Sequence, residues 1–360
     1  MQSASHKLRV LHIISGDLWA GAEVQAYTLL SQLQPHCQLK VILMNQGRLH
    51  QECQSLGLDV EVYDESQLRG PQILWRLYRA VRQFRPHIIH THRQKENILG
   101  TVAGRLAGCK CSVRTSHGAP EFESKGLRRL RVSLDHWIGR FAQNKVIAVS
   151  ENLAEKLEAL FPREHIAVIH NGVDPERLAT QAAASPFSSD HCHIGIVGRL
   201  EPVKRVDLFL EMVSRLGDLP DKCQLQFHVI GDGKLRSALE AQSQTLGLTD
   251  KVWFHGHRDD IPSCLAGLNA LIMCSDHEGT PMVALEALAL GTPVIAHNTG
   301  GLSEILSGHP ECLVENHTAQ GYATAVKDLL PGLSDKRITL QERYTARHNA
   351  ETTLSLYRSL

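Results

Sequence analysis

The 360-residue chain is marked first by what it lacks. It has no CxxC pair, and its nine cysteines stand singly apart from Cys109 and Cys111. That pattern gives no disulfide framework and makes a reducing cytoplasm the simplest home. No apolar run approaches ~18 residues, so no segment is expected to span a membrane. The opening MQSASHKLRVLHIIS is too short in apolar residues for a signal peptide and reads as a first strand. Net charge is absent too: 38 basic residues balance 38 acidic ones, which implies no polyanionic partner. Neither a GxGxxG fingerprint nor a GxxxxGK phosphate loop occurs. Histidine is plentiful at 21 residues, but His191 and His193 fall in an expected linker without a second cluster, so no zinc site is expected there.

What is present is an alternation. Short β-branched runs at 8–15, 40–44, 87–91, 112–116, 146–150 and 167–170 read as strands. Helical periods lie between them, as in Ala26, Tyr27, Leu30 and Leu33, or Leu127, Leu130, Leu134, Trp137, Ile138 and Phe141. TQAAASPFSSDHCH, residues 180–193, is small, polar and proline-containing, and reads as a linker. After it the strands restart at 193–197, 224–230, 252–254, 270–274, 293–296 and 312–314. The expectation is α/β: two Rossmann-like, doubly wound domains, 1–180 and 181–342. A helix over 343–360, with Ala346, Ala350, Leu354 and Tyr357 on one face, needs a surface to pack on.

Open α/β sheets bind ligands at the carboxyl ends of their strands. In the second half, GRLEPVK follows a strand and offers Arg199 and Lys204, two cations able to grip a diphosphate. Gly231 and Gly233 bracket another strand-to-helix turn, where backbone can approach a ligand. DHEGTPMVALEALALGTPVIA places Glu278 in a loop and Glu286 on a helix whose free N–H groups form an anion site. Eight residues apart, the two acids suit contacts to different hydroxyls of one extended ligand better than a carboxylate couple on one bond. In the first half, the loop at 16–25 carries glycines, and His90, His92, Arg93, His117 and Gly118 stand at strand ends.

These motifs carry a resemblance. EGTPMVALEALALGTPVIA, the following TGG, GRLEPVK, HNGVDPERL and the AGAE loop at 20–23 occur in an order and spacing that resemble retaining glycosyltransferases of the GT-B fold, family 4 (glycosyl transferases group 1). The resemblance covers almost the whole chain. It implies two domains facing across a cleft, with the C-terminal helix packing back on the first. Arg199 and Lys204 would hold the diphosphate of a nucleoside-diphosphate sugar, Glu278 the sugar hydroxyls and Glu286 the ribose diol. Backbone at Thr280, Pro281, Met282 and Val283, with Gly231, would cradle sugar and phosphate, and His257 and Arg258 would line the base pocket. Gly21 and Ala22 would approach the phosphate, and His117 would lie by the reacting sugar. No cofactor or metal is expected, and the chain has no DxD. Two positions depart from the pattern: Arg205 stands where glycine is common, and Thr280 where a larger apolar residue is.

The acceptor would be a glycan or a lipid-linked molecule in polysaccharide or glycolipid assembly. QLRGPQILWRLYRAVRQFRP sets Arg76, Arg79, Arg82 and Arg85 opposite an apolar face. Residues 1–145 carry roughly +9 formal charges, Arg128, Arg129 and Arg131 among them. An ordinary sheet-covering helix explains the pattern; so does peripheral contact with an anionic membrane on its inner face. Nucleic acid is excluded as a partner because the basic residues lack interleaved aromatics and the second half is acidic. A nucleotide-sugar epimerase on the same fold, or a non-catalytic nucleotide-sugar binding protein, remain as alternatives.

Overall fold

The computed structural model describes residues 7–118, 127–216, 224–329 and 338–360, the side chains of 127–131 excepted. The basic residues Arg128, Arg129 and Arg131 therefore lie outside the described side chains. The chain forms two compact units, one of residues 1–172 with 346–360 and the other of residues 173–345.

The first unit is built on a parallel sheet of seven strands. They are β1 (Leu8–Ile14), β2 (Cys37–Leu43), β3 (Asp59–Val62), β4 (Ile88–Thr91), β5 (Cys111–Ser116), β6 (Lys145–Ala148) and β7 (Ile166–Val168), in the order β3-β2-β1-β4-β5-β6-β7. Strands buried on both faces read as near-continuous apolar runs, which is why β1 and β2 were visible in the sequence. β3 was not. It is a four-residue edge strand, and its Asp59 and Glu61 carboxylates meet Lys40 Nζ on β2 at 2.8 and 2.6 Å. The helix Ala346–Arg358 belongs to this unit: Ala350, Leu354 and Tyr357 join Ala26, Leu30 and Leu33 in one core. Asn349 locks it, accepting from Gln25 at 3.1 Å and donating to the His170 carbonyl at 2.6 Å.

The second unit carries six parallel strands: β8 (His191–Val197), β9 (Gln224–Ile230), β10 (Val252–Gly256), β11 (Ala270–Met273), β12 (Val294–His297) and β13 (Leu313–Val314), in the order β10-β9-β8-β11-β12-β13. His191 and His193 are part of β8, not of a linker, and His193 is buried. The helix Pro175–Gln181, capped by Asp174, lies in this unit, ahead of the small polar stretch. Cys37, Cys53, Cys109, Cys111, Cys264 and Cys274 are free thiols, whereas Cys192 is disulfide-bonded, against the expectation of unpaired cysteines.

Both sheets reverse their winding direction once, between β1 and β4 and between β8 and β11. At such a switch point the loops leaving two neighbouring strands diverge and open a crevice for a ligand.

Candidate functional site

In the second unit the switch point gathers the expected cations and acids. β8 leads into Gly198, Arg199 and Leu200, then a single turn over Pro202–Lys204. Lys204 reaches across to the loop after β11, where its Nζ pairs with the Glu278 carboxylate. Ser275 Oγ donates to the same carboxylate at 2.6 Å. Glu278 is thus held by a cation and a hydroxyl, with only 11 % of its side chain exposed. Gly198, Arg199, Lys204 and Ser275 line one concavity above β8 and β11. Arg199 is exposed there, and among the described residues no carboxylate pairs with it.

The helix Met282–Ala289 begins beside this loop. Pro281 is its N-cap, and no side chain caps the end. The leading N–H groups at Met282 and Val283 are therefore available to an anion. Thr280, Pro281 and Met282 are buried. Glu286, on the same helix, has no partner among the described residues, and burial lifts its carboxyl to about 7. Glu278 and Glu286 therefore stand in opposite situations, one paired and one not.

Glycines hold these loops together. A Cβ on Gly301 would lie 1.7 Å from the Gly279 carbonyl oxygen, and one on Gly300 would lie 2.1 Å from that of Glu278. The loop bearing Glu278 is pressed against the start of the next helix, and Gly301 N donates to the Glu278 carbonyl at 3.2 Å. Gly231, at φ +137°, would likewise meet the Gly198 carbonyl at 1.9 Å. These glycines serve close approach of loop to loop, which fixes the strand-end geometry.

Arg205 adopts a left-handed conformation, φ +50°, which explains why glycine suits this position. Its guanidinium turns to Asp207 and to Asp276, at 3.0 and 3.1 Å. Asp276 in turn meets His317 Nε2 at 3.0 Å, and His317 stacks on His297 with ring centres 3.7 Å apart. His257 and Arg258 follow β10 at the sheet edge. His257 is exposed, and Arg258 donates to Asp260 at 2.8 Å. No contact joins either of them to Lys204 or Glu278 among the described residues.

The first unit's switch point is different. Gly21 and Ala22 open the helix Gly21–Leu33, whose N-terminus has no side-chain cap. Arg93, after β4, donates to Asp17 at 3.0 Å and pairs with the buried Glu23, whose carboxyl burial pushes upward. His117, after β5, is not alone. Its Nε2 is 3.3 Å from His92 Nδ1, and His92 Nε2 is 3.3 Å from His12 Nδ1. His12 lies on β1 directly beside His90 on β4. His90 is bonded to the Tyr357 hydroxyl at 2.5 Å and to Thr115 at 2.7 Å. Burial lowers all four imidazoles. His12 falls to about 3 and His117 to about 4, the latter helped by Arg93 and Arg114, while His90 and His92 lie well below their ordinary value.

The ring nitrogens of His12, His90 and His92 lie within 4.8 Å of one another, a spacing a metal ion could use. Among the described residues no carboxylate joins them, and their nitrogens already meet neighbouring rings or hydroxyls. The group is therefore a neutral hydrogen-bonded row. His12, Tyr357 and Ser275 were not identified from the sequence as site residues. The one available signal was His12, the sole polar side chain between the apolar residues of VLHII.

Two parallel α/β units, with cations, an uncapped helix and acids gathered at a strand switch, define a protein built to bind a phosphorylated ligand with polar groups beyond the phosphate. Comparison with known proteins gives the family. Residues 19–177 match the family described as Glycosyltransferase Family 4, and residues 191–331 match Glycosyl transferases group 1. An Escherichia coli relative, UDP-Gal:alpha-D-GlcNAc-diphosphoundecaprenol alpha-1,3-galactosyltransferase, is 27% identical over 91% of this chain and 87% of its own. The 2-deoxystreptamine glucosyltransferase of Streptomyces kanamyceticus is 28% identical over 72% of this chain and 73% of its own. Among solved structures, HepE from Anabaena in complex with UDP and glucose superposes with a TM-score of 0.83 at 20% identity, covering 98% of this chain and all of that one. The chain belongs to the group 1, family 4 glycosyltransferases and has their GT-B fold.

Proposed function

We propose that the protein transfers a hexose, with retention of anomeric configuration, from a uridine-diphosphate sugar to a lipid-diphosphate-linked or glycan acceptor. The observation that carries this reading is the grouping of Arg199, Lys204, Glu278 and the helix start at Met282 around one strand switch. The galactosyltransferase relative, named for a UDP-Gal donor and a diphosphoundecaprenol acceptor, supports the donor and acceptor classes.

In the reaction, the bond between the sugar C1 and the β-phosphate oxygen breaks, and the acceptor hydroxyl oxygen bonds to C1 from the same face. The acceptor proton passes to the departing diphosphate. Charge accumulates on that diphosphate, where Arg199, Lys204 and the N–H groups at Met282 and Val283 receive it. Glu278 holds sugar hydroxyls, Glu286 accepts from the ribose diol, and His117 accepts from a sugar hydroxyl. Gly231, His257 and Arg258 border the nucleotide. Arg76, Arg79 and Arg82 on the helix Gly70–Phe84, with Arg85 just past its end, are exposed and offer an anionic membrane a basic face.

The test is incubation with UDP-sugars and lipid-diphosphate acceptors, the product's anomeric configuration being read by proton NMR. An α-linked product from an α-linked donor supports the reading. An inverted product contradicts retention. A new sugar formed from donor alone indicates an epimerase instead.

A further inference from the structure

His117 has one ring nitrogen turned inward and one left over. Nε2 faces His92, whereas Nδ1 is buried and meets no hydrogen-bond partner among the described residues. A buried polar atom without a partner is costly, so its presence marks a place kept for a ligand group. Whether that nitrogen offers a proton or a lone pair depends on the row behind it.

The row has direction. Each imidazole is neutral, held so by burial. A neutral imidazole has one donor and one acceptor nitrogen, so fixing one ring fixes its neighbours in turn. The Tyr357 hydroxyl has one proton and gives it to His90 Nδ1, since giving it to His12 would end the row in an unpaired buried N–H on His117. His90 Nε2 then carries the proton and donates to Thr115 Oγ1 at 2.7 Å. The Tyr357 oxygen is left to accept from His12 Nε2, 3.5 Å away. His12 Nδ1 accepts from His92 Nε2, and His92 Nδ1 accepts from His117 Nε2. The outcome, assigned from this hydrogen-bond pattern, is a lone pair on His117 Nδ1.

We propose that Tyr357, His12 and His92 are positioning residues that set the tautomer of His117, so that it presents an acceptor to a ligand hydroxyl. The control starts in the C-terminal helix, 240 positions from His117 in sequence. Among the described residues, the charged groups that act on His117 are Arg93 and Arg114. The first is committed to Asp17 and Glu23, and the second to Asp135 at 2.7 Å. The row itself contains no carboxylate that could stabilise an imidazolium. This inference rests on the proposed role of His117 in transfer, but its primary test does not.

Two isosteric substitutions loosen the row from its far end. Tyr357→Phe removes the acceptor for His12 Nε2–H. Reversing the row relieves that N–H but moves the unpaired proton to His117 Nδ1, so the two orientations become comparable and His117 divides between its tautomers. Thr115→Val removes the acceptor for His90. His90 can then donate to the Tyr357 oxygen, the hydroxyl turns to His12, and the row divides in the same way. The measurement is the pattern of ring ¹⁵N shifts in histidine-labelled full-length protein at pH 7.5. Wild type is expected to show the proton of His117 on Nε2, and its partial movement to Nδ1 in either variant supports the relay. A wild-type proton on Nδ1, or an Nε2 proton kept in both variants, overturns it. Sugar transfer is expected to fall about twofold in an evenly divided variant, because half the molecules keep the acceptor. Movement of the proton with unchanged transfer leaves the relay standing and removes His117 from the proposed mechanism.

Discussion

At the strand switch of the first unit the side chains are imidazoles, buried and neutral; at that of the second they are a lysine, an arginine and a carboxylate, partly exposed and charged. The sheets that carry them share the same turn of winding. The difference shows how one architecture is given two tasks. Charge at the second switch can meet a diphosphate directly, and among the described residues no carboxylate pairs with Arg199. The imidazoles of the first switch have no charge to give, because each imidazolium there would be desolvated beside other imidazoles, and Arg93 next to them is already paired with Asp17 and Glu23. What it supplies is direction in hydrogen bonding.

The comparison breaks most readily at Lys204. Lys204→Ala removes charge stabilisation of the leaving group and is expected to lower turnover by ~10²-fold or more in steady-state kinetics. Full activity would take the lysine out of the diphosphate site.

Glu286 gives the next largest effect. Its folded carboxyl titrates near 7, above the ordinary range, so it stabilises the fold fully at low pH, and that contribution is lost as pH rises through about 7. Glu286→Gln is therefore expected to raise the melting point of the ligand-free protein at pH 8, by about 2 kcal/mol in stability, and to leave it unchanged below pH 4.5. The same variant is expected to bind donor more weakly. A variant no more stable than wild type at pH 8 would mean that the carboxylate is solvated.

In the first unit the sign is opposite. His12 titrates at about 3 when folded, so its contribution is intact above the ordinary histidine range and is lost as pH falls from about 6.5 towards 3. His12→Phe should make the acid loss of stability shallower by about 1.4 kcal/mol per pH unit within that window. Identical slopes in both proteins would show that His12 is charged or exposed in the fold.

The smallest effect is expected on the basic helix. Trp75 is exposed there, and the Arg79 guanidinium lies 4.7 Å from its ring centre. Arg79→Glu with Arg82→Glu is expected to weaken co-sedimentation with anionic vesicles at low salt and to change transfer to a soluble acceptor less than twofold, under about 0.5 kcal/mol. Equal binding of wild type to neutral vesicles would remove the membrane contact.

The two sites also differ in how far the sequence disclosed them. Arg199, Lys204 and Glu278 stood out because they follow apolar runs, and a polar residue just past a buried parallel strand has few places to go but the ligand end of the sheet. The pairing of Lys204 with Glu278 did not stand out, since nothing local links side chains 74 positions apart. His12 was hidden because a histidine inside a strand is more often a satisfied core residue than part of a row. Tyr357 was legible as a packing face, but its hydroxyl acts through His90, 267 positions away. Gly231 was read as letting backbone approach a ligand, and its nearest neighbour is the loop at Gly198. The fold was disclosed more fully, because alternation of buried strands and amphipathic helices is a local pattern. It failed at β3, where edge exposure and two acids erase the apolar run.

The central claim is that strand-end cations of the second unit take up the diphosphate. Calorimetric titration of UDP and of uridine into wild type and into Arg199→Ala with Lys204→Ala tests it directly. The account predicts that UDP binding weakens by ~10²-fold or more in the double variant while uridine binding is unchanged, since only the phosphates meet those side chains. UDP bound equally by both proteins would contradict it.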